Sequence, residues 1–152
     1  MRDIISTKSI FLDLDVPNKK DAIQQLAQNA AQVTGKDPLA IFDVLWAREK
    51  LGTTGVGGGI AIPHARWQGI EQVQGFFARM AKPIAFDAVD DKPVDLVFLL
   101  LAPETAGADH LHALATVSRV LRDRVLCELL RKAKDEQAIY QLLVQNETAE
   151  AA

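Results

Sequence analysis

His64 is the side chain best placed to do chemistry in this sequence. It follows Pro63 and a short apolar run, Ile60-Ala61-Ile62, which itself follows a cluster of glycines. Gly55, Gly57, Gly58 and Gly59 make up four of the nine glycines in the chain. An imidazole titrates near neutral pH and can act as a nucleophile. Glycine admits positive φ and lets backbone amides approach a ligand, so successive amides can form an anion-binding nest. The combination points to phosphoryl chemistry on His64, with Thr54, Gly55, Gly57, Gly58 and Gly59 as candidate phosphate-binding positions. A flexible turn is the competing reading of the glycines. They do not form a Walker loop, because no Gly-Lys-Ser/Thr follows them. Nor do they form a dinucleotide fingerprint, because Ile60-Ala61-Ile62 reads as extended rather than helical.

The other candidates are weighed against His64. Proline fixes its own φ and restricts Ile62, so His64 sits at a defined strand end. On a helix starting near Asp109, each residue advances about 100°. Leu111, Leu114, Val117, Ser118 and Leu121 then define an inward face. His110 falls within that sector and His112 nearly opposite, beside Arg119. His112 is therefore expected at the surface. His110 could reach an internal pocket, and a satisfied core histidine fits the same pattern. A His-x-His metal pair is disfavoured, because the rings diverge and no third ligand is evident. No metal and no cofactor are expected. Glu49 reads as a structural or surface acid. Thr53 and Thr54 could bond phosphate or simply form a turn. Arg66 reads as a solvated arginine, with steering of an acidic partner as the alternative. Cys127 reads as a buried helix residue, since no basic or histidine neighbour in sequence would activate it.

The elements that must position these groups can be read in order. Ile10 to Leu14 is a short first strand. Asn18 caps a helix whose apolar positions are Ile23, Leu26, Ala27, Ala30 and Val33, ended by Gly35. Asp37-Pro38 opens a second helix, with Leu39, Phe42 and Trp46 as its stripe, broadened by Ile41, Val44 and Leu45. Gly52 stops it, directing its basic last turn into the glycine-rich stretch. Val73 to Met80 reads as a strand and Ile84 to Phe86 as a shorter one. Asp90 to Pro93 is a turn. Val94 to Leu101 is almost wholly apolar, as in a strand buried on both faces. Three helices follow: Asp109 to Leu121, Val125 to Ala133, and Glu136 to Val144 with Asp135 as cap. A tail from 145 to 152 has little to bury and is expected to fray. The order predicts an α/β protein, a mixed β-sheet flanked by helices on both sides, in one domain over residues 1–152.

The totals narrow the function. With 152 residues and 49% hydrophobic, the chain can bury a sizeable core. A net charge of −3 argues against nucleic acid as a partner. No apolar run is long enough for membrane insertion. The N-terminus lacks the apolar core of a signal peptide, and a single cysteine fits a reducing compartment, so a cytoplasmic location is expected.

The run Arg48-Glu49-x-x-Gly52-Thr-Thr-Gly55-Val-Gly57-Gly-Gly59-Ile-Ala-Ile-Pro63-His64 resembles the signature of fructose/mannitol-type enzyme IIA domains of the bacterial phosphotransferase system. Downstream, His110-Leu-His112-x-Leu114 and the Arg119 to Asp123 segment are similar to the free-standing nitrogen-related branch. The resemblance runs from about Ile4 to Val144. It implies a mixed sheet flanked by helices. It also implies His64 as phosphoryl acceptor, His110 as supporting histidine and Arg48 as the charge that neutralises the site. The implied donor is an HPr-like phosphocarrier (NPr), and the implied output is regulatory. Two alternatives remain. One is a sugar-transport subunit passing phosphate to a IIB domain. The other is a binding module on the same fold that works without phosphorylation. A backbone carbonyl or similar acceptor is expected to hold the second ring nitrogen of His64.

Overall fold

The computed structural model describes the backbone of residues 1–151 and the side chains of residues 1–145. After a 3-10 turn at Thr7–Ser9 the chain runs β1 (Ile10–Leu14), α1 (Lys19–Thr34) and α2 (Pro38–Leu51). Four strands follow, β2 (Gly55–Gly57), β3 (Ile60–Ala61), β4 (His64–Arg66) and β5 (Gln74–Ile84). Then come β6 (Val94–Ala102), α3 (Ala108–Leu121), α4 (Arg124–Lys132) and α5 (Glu136–Ala151).

Local chemistry explains the helix boundaries. The Asn18 side chain accepts from the Asp21 amide, and Gly35 closes α1 in the left-handed conformation at φ 73°. Asp37 caps α2, with Pro38 in its first turn, where a missing N–H costs nothing. Asp123 accepts from the amides of Val125 and Leu126 to open α4. Asp135 accepts from the Ala138 amide at the start of α5. α5 continues through Ala151, past the Val144 end expected from sequence. The expected fraying of the tail falls on residues whose side chains, from 146 on, lie outside the described ones.

The strands form a mixed sheet in the order β1-β5-β6-β3-β2, with β4 also pairing β6. β5 and β6 are antiparallel, while β1 runs parallel to β5 and both β3 and β4 run parallel to β6. β6 is the spine. Its Val97, Leu99 and Leu101 enter one core with Ile23, Leu26, Ile41 and Leu45 of α1 and α2. Its Leu96, Phe98 and Leu100 enter a second core with Val117, Leu130 and Leu143 of α3, α4 and α5. A strand alternates its side chains, so an apolar run of this length requires cover on both faces.

Four local readings are corrected. The two strands expected at Val73 to Met80 and Ile84 to Phe86 are one, β5, whose pairing with β6 shifts between Arg79 and Ile84. Pro83 lies in that shift, where it interrupts no regular ladder. The buried stripe of α2 is Ile41, Leu45 and Glu49, while Leu39 is exposed and Phe42 and Trp46 are only partly covered. On α3 the buried face is His110, Ala113, Thr116, Val117, Val120 and Leu121, and Leu111 is exposed. On α3 the small residues Ala113 and Thr116 take buried positions where Leu111 was expected. Val33, placed on the buried stripe of α1, is likewise exposed.

Candidate active site

β3 and β4 lie along the same side of β6 as a single strand broken at Ile62-Pro63. Proline offers no N–H to a ladder. The Pro63 carbonyl still accepts from the Leu100 amide at 2.9 Å, while the Ile62 amide donates to the Thr54 carbonyl at 2.9 Å. The Ile62 carbonyl accepts instead from the side chain of His64, whose Nδ1 lies 2.8 Å away. A carbonyl can only accept, so Nδ1 carries the proton. The lone pair is then on Nε2, which bonds no group among the described residues. The acceptor expected for the second ring nitrogen is thus the Ile62 carbonyl.

Residues two apart on a strand share a face. Ile60 and Ile62 face the core under α3 to α5, and Ala61 and Ala65 face the other. His64 and Arg66 continue the first series. The opening turn of α3 brings His110 against His64, with ring centroids 5.7 Å apart and planes at 74°. His110 is buried at 5% exposure. Its Nδ1 accepts from the Arg66 Nε–H at 3.2 Å. A guanidinium has no acceptor to offer, so Nδ1 holds the lone pair and Nε2 the proton. That Nε2 is buried without a hydrogen-bond partner. One ring therefore presents a lone pair and its neighbour an unspent N–H.

Both rings are held neutral at pH 7. Burial pushes the His64 pKa below 6.5, and the Arg48 charge pushes the same way against the Ile62 carbonyl and Glu49. Burial also lowers His110, helped by His64 and Arg66. A neutral imidazole is the nucleophilic form.

Arg48 stands in the last turn of α2 and donates from Nη1 to the Gly52 carbonyl at 2.8 Å. It acts on His64 through its charge rather than by a bond to the ring. Glu49 is buried, accepts from the Thr54 amide (2.8 Å) and hydroxyl (2.5 Å), and pairs with Lys19 at 2.8 Å. It pins the link between α2 and β2.

The structure does not bring the Gly57–Gly59 turn together with His64. Ile60 registers with Leu96 and His64 with Leu100. Four strand residues separate them, about 13 Å. The Gly57–Gly59 turn thus lies at the far end of the strand. Its φ values of 98°, 67° and 82° serve a tight reversal. The Gly58 amide donates to Asp90 at 3.0 Å, and the Gly58 carbonyl accepts from Arg131 at 3.0 Å. Nearer His64, the Gly55 amide donates to the Thr53 hydroxyl at 3.0 Å, and the Thr54 amide and hydroxyl are spent on Glu49. A Cβ on Gly55 would meet Ala88 at 2.9 Å, so that glycine serves packing.

Arg66 is exposed, as expected of a solvated arginine, and it also donates to His110, a contact not read from the sequence. Its spacing of two from His64 on an extended run was the available signal. His112 is exposed and lines a separate cleft with Asp109 and Thr116. Another cleft, of about 650 Å³, opens beside Gly57, Gly58, Arg122 and Arg131, and neither His64 nor His110 lines it. Cys127 is buried, and burial raises its thiol pKa. No group of three or more metal-ligating side chains exists among the described residues. No helix there is long and apolar enough to cross a membrane.

Comparison with known proteins identifies the family and the fold. Residues 3–146 match the family model described as phosphoenolpyruvate-dependent sugar phosphotransferase system, EIIA 2. A nitrogen regulatory protein of Bradyrhizobium diazoefficiens is 52% identical over 141 residues, covering 93% of this chain and 92% of that one. A protein of Haloferax volcanii named the fructose-specific EIIA component of a PTS is 40% identical, covering 90% of this chain and 89% of its own length. The crystal structure of the nitrogen regulatory protein IIA-Ntr from Neisseria meningitidis superposes with a TM-score of 0.88 at 35% identity, covering 93% of this chain and 97% of the other. With a matching model over nearly its whole length and a mixed sheet between two helical layers, this chain belongs to the EIIA type 2 family of the phosphotransferase system.

Proposed function

We propose that this protein is a phosphocarrier in which Nε2 of His64 takes a phosphoryl group from the phosphohistidine of an HPr-like carrier. The observation that carries the proposal is the pairing of a free lone pair on His64 with an unpartnered N–H on His110. The donor's P–N bond breaks as the bond from phosphorus to Nε2 forms. The departing electron pair returns to the donor imidazole. The transition state is loose and spreads charge over the equatorial oxygens, so the site must mainly align and stabilise. His110 Nε2–H donates to one of those oxygens, and the Arg48 charge offsets the rest. The Ile62 carbonyl keeps the proton on Nδ1 throughout.

The regulatory reading is favoured for the output. The Bradyrhizobium relative at 52% identity is a nitrogen regulatory protein. A phosphoryl group adds about −1.5 to −2 charges at pH 7, enough to remodel a contact surface. The elements that carry Arg48 and His110 also expose Leu51 and Leu111, apolar surface suited to a protein partner. On this reading the protein works in the cytoplasm with its carrier. The second reading, delivery of phosphate to a sugar-specific IIB domain, draws on the Haloferax relative at 40% identity.

The test is incubation with the phosphorylated carrier and its upstream kinase. Acid-labile, alkali-stable phosphate should appear on the wild type and be lost in His64→Ala. Equal labelling of that variant would overturn the assignment. Onward transfer to a IIB domain would favour the sugar-transport reading.

A further inference from the structure

We propose that Arg66 is a positioning residue that locks His110 in its Nε2–H tautomer and so aims a donor at the phosphoryl group on His64. This rests on the phosphocarrier reading of His64 and assigns a part to a residue outside the His64, His110 and Arg48 set.

The geometry is specific. His64 and Arg66 stand two apart on β4, on the same face, with Ala65 buried on the other. The His110 ring sits against both. It meets His64 edge to face at 5.7 Å and accepts at Nδ1 from the Arg66 Nε–H at 3.2 Å. A guanidinium stays charged at any working pH and can only donate. A proton placed on Nδ1 would therefore oppose a fixed N–H. That excludes both the Nδ1–H tautomer and the imidazolium while the contact holds. The remaining form has its proton on Nε2, the nitrogen that is buried with no partner.

A buried N–H without a partner is costly in a folded protein. Arg66, exposed as a residue, holds the ring through its Nε–H. The two titratable or charged side chains acting on His110 are His64 and Arg66, both on β4. The two histidines thus receive opposite polarity from opposite sources. A backbone carbonyl makes His64 an acceptor at Nε2, and an arginine makes His110 a donor there.

The test uses imidazole nitrogen NMR of the unphosphorylated protein, with phosphotransfer measured in parallel on wild type, Arg66→Leu and Arg66→Gln. In the wild type the unprotonated nitrogen of His110 should be Nδ1 alone. Arg66→Leu should give a mixture of tautomers and raise the His110 titration midpoint, since a nearby cation has been removed. Its transfer rate should fall about 10–100-fold, the usual cost of losing an orienting partner, with label still on His64. Arg66→Gln keeps an N–H donor without the charge and should restore the tautomer while leaving the midpoint raised. Unchanged His110 nitrogen signals and midpoint in Arg66→Leu would overturn the proposal. A normal transfer rate despite mixed tautomers would also overturn it. Labelling that survives in His64→Ala would instead sink the phosphocarrier reading and leave the tautomer assignment standing.

Discussion

The two ends of the β3–β4 strand differ in how they treat polar groups. At the glycine end the polar groups are spent. Arg131 bonds Asp95 through Nε (2.7 Å) and Nη2 (3.0 Å), Glu128 at 2.8 Å and the Gly58 carbonyl at 3.0 Å. Asp90 takes the Gly58 and Lys92 amides, which hold its carboxyl below the usual range. At the histidine end each ring is anchored at Nδ1, and Nε2 is left open on both. Saturated polar groups make a scaffold, whereas unsatisfied ones on anchored rings are available to a ligand. The glycines, the most conspicuous part of the motif, belong to the scaffold.

That contrast can be broken at either end. The largest effect is expected at the open end. His110→Ala should lower the phosphotransfer rate about 100-fold, as for the loss of a preorganised donor, with little change in the cooperativity of urea unfolding. A rate within a few-fold of wild type would mean that the open N–H of His110 does no work. At the closed end, Gly59→Ala forces a Cβ to within 2.6 Å of Arg131 and 2.8 Å of Asp95, at φ 82°. It should cost about 1–3 kcal/mol of stability by the usual penalty for such backbone strain, read as a lower urea midpoint. Transfer per folded molecule should hold. A selective loss of transfer would return the glycines to the site.

The smallest effect is a pH dependence. Both histidines have folded pKa values below the ordinary 6.5. Between those lowered values and 6.5 the unfolded chain binds more protons than the folded one. Stability therefore falls as pH drops through that window and is flat in this respect above it. Urea midpoints on either side of pH 6.5 should show the decline, and His110→Gln should flatten part of it. A midpoint that rises on acidification would contradict the burial of neutral rings.

Much of this was legible because it is local. Asn18, Asp37-Pro38 and Asp135 act on amides within three residues of themselves, so cap chemistry places three helix starts. The apolar run of β6 forces two covered faces and hence a layered fold. His64 was conspicuous because a proline precedes it. What was not legible is contact at a distance. Arg66 meets a ring 44 residues away, and Arg131 reaches Gly58 across 73. Nothing near the glycines shows that Asp90 takes the Gly58 amide and Arg131 the Gly58 carbonyl. Helix phase failed where size misled. Leu39 and Leu111 attract a periodicity reading, but Ala113 and Thr116 are what fit against the sheet.

The most direct measurement is the position of phosphorus on the imidazole of the phosphorylated protein, by nitrogen–proton correlation across the ring. The account predicts attachment at Nε2 of His64 with Nδ1–H still present and bonded to the Ile62 carbonyl. Attachment at Nδ1, or on any other residue, would contradict it.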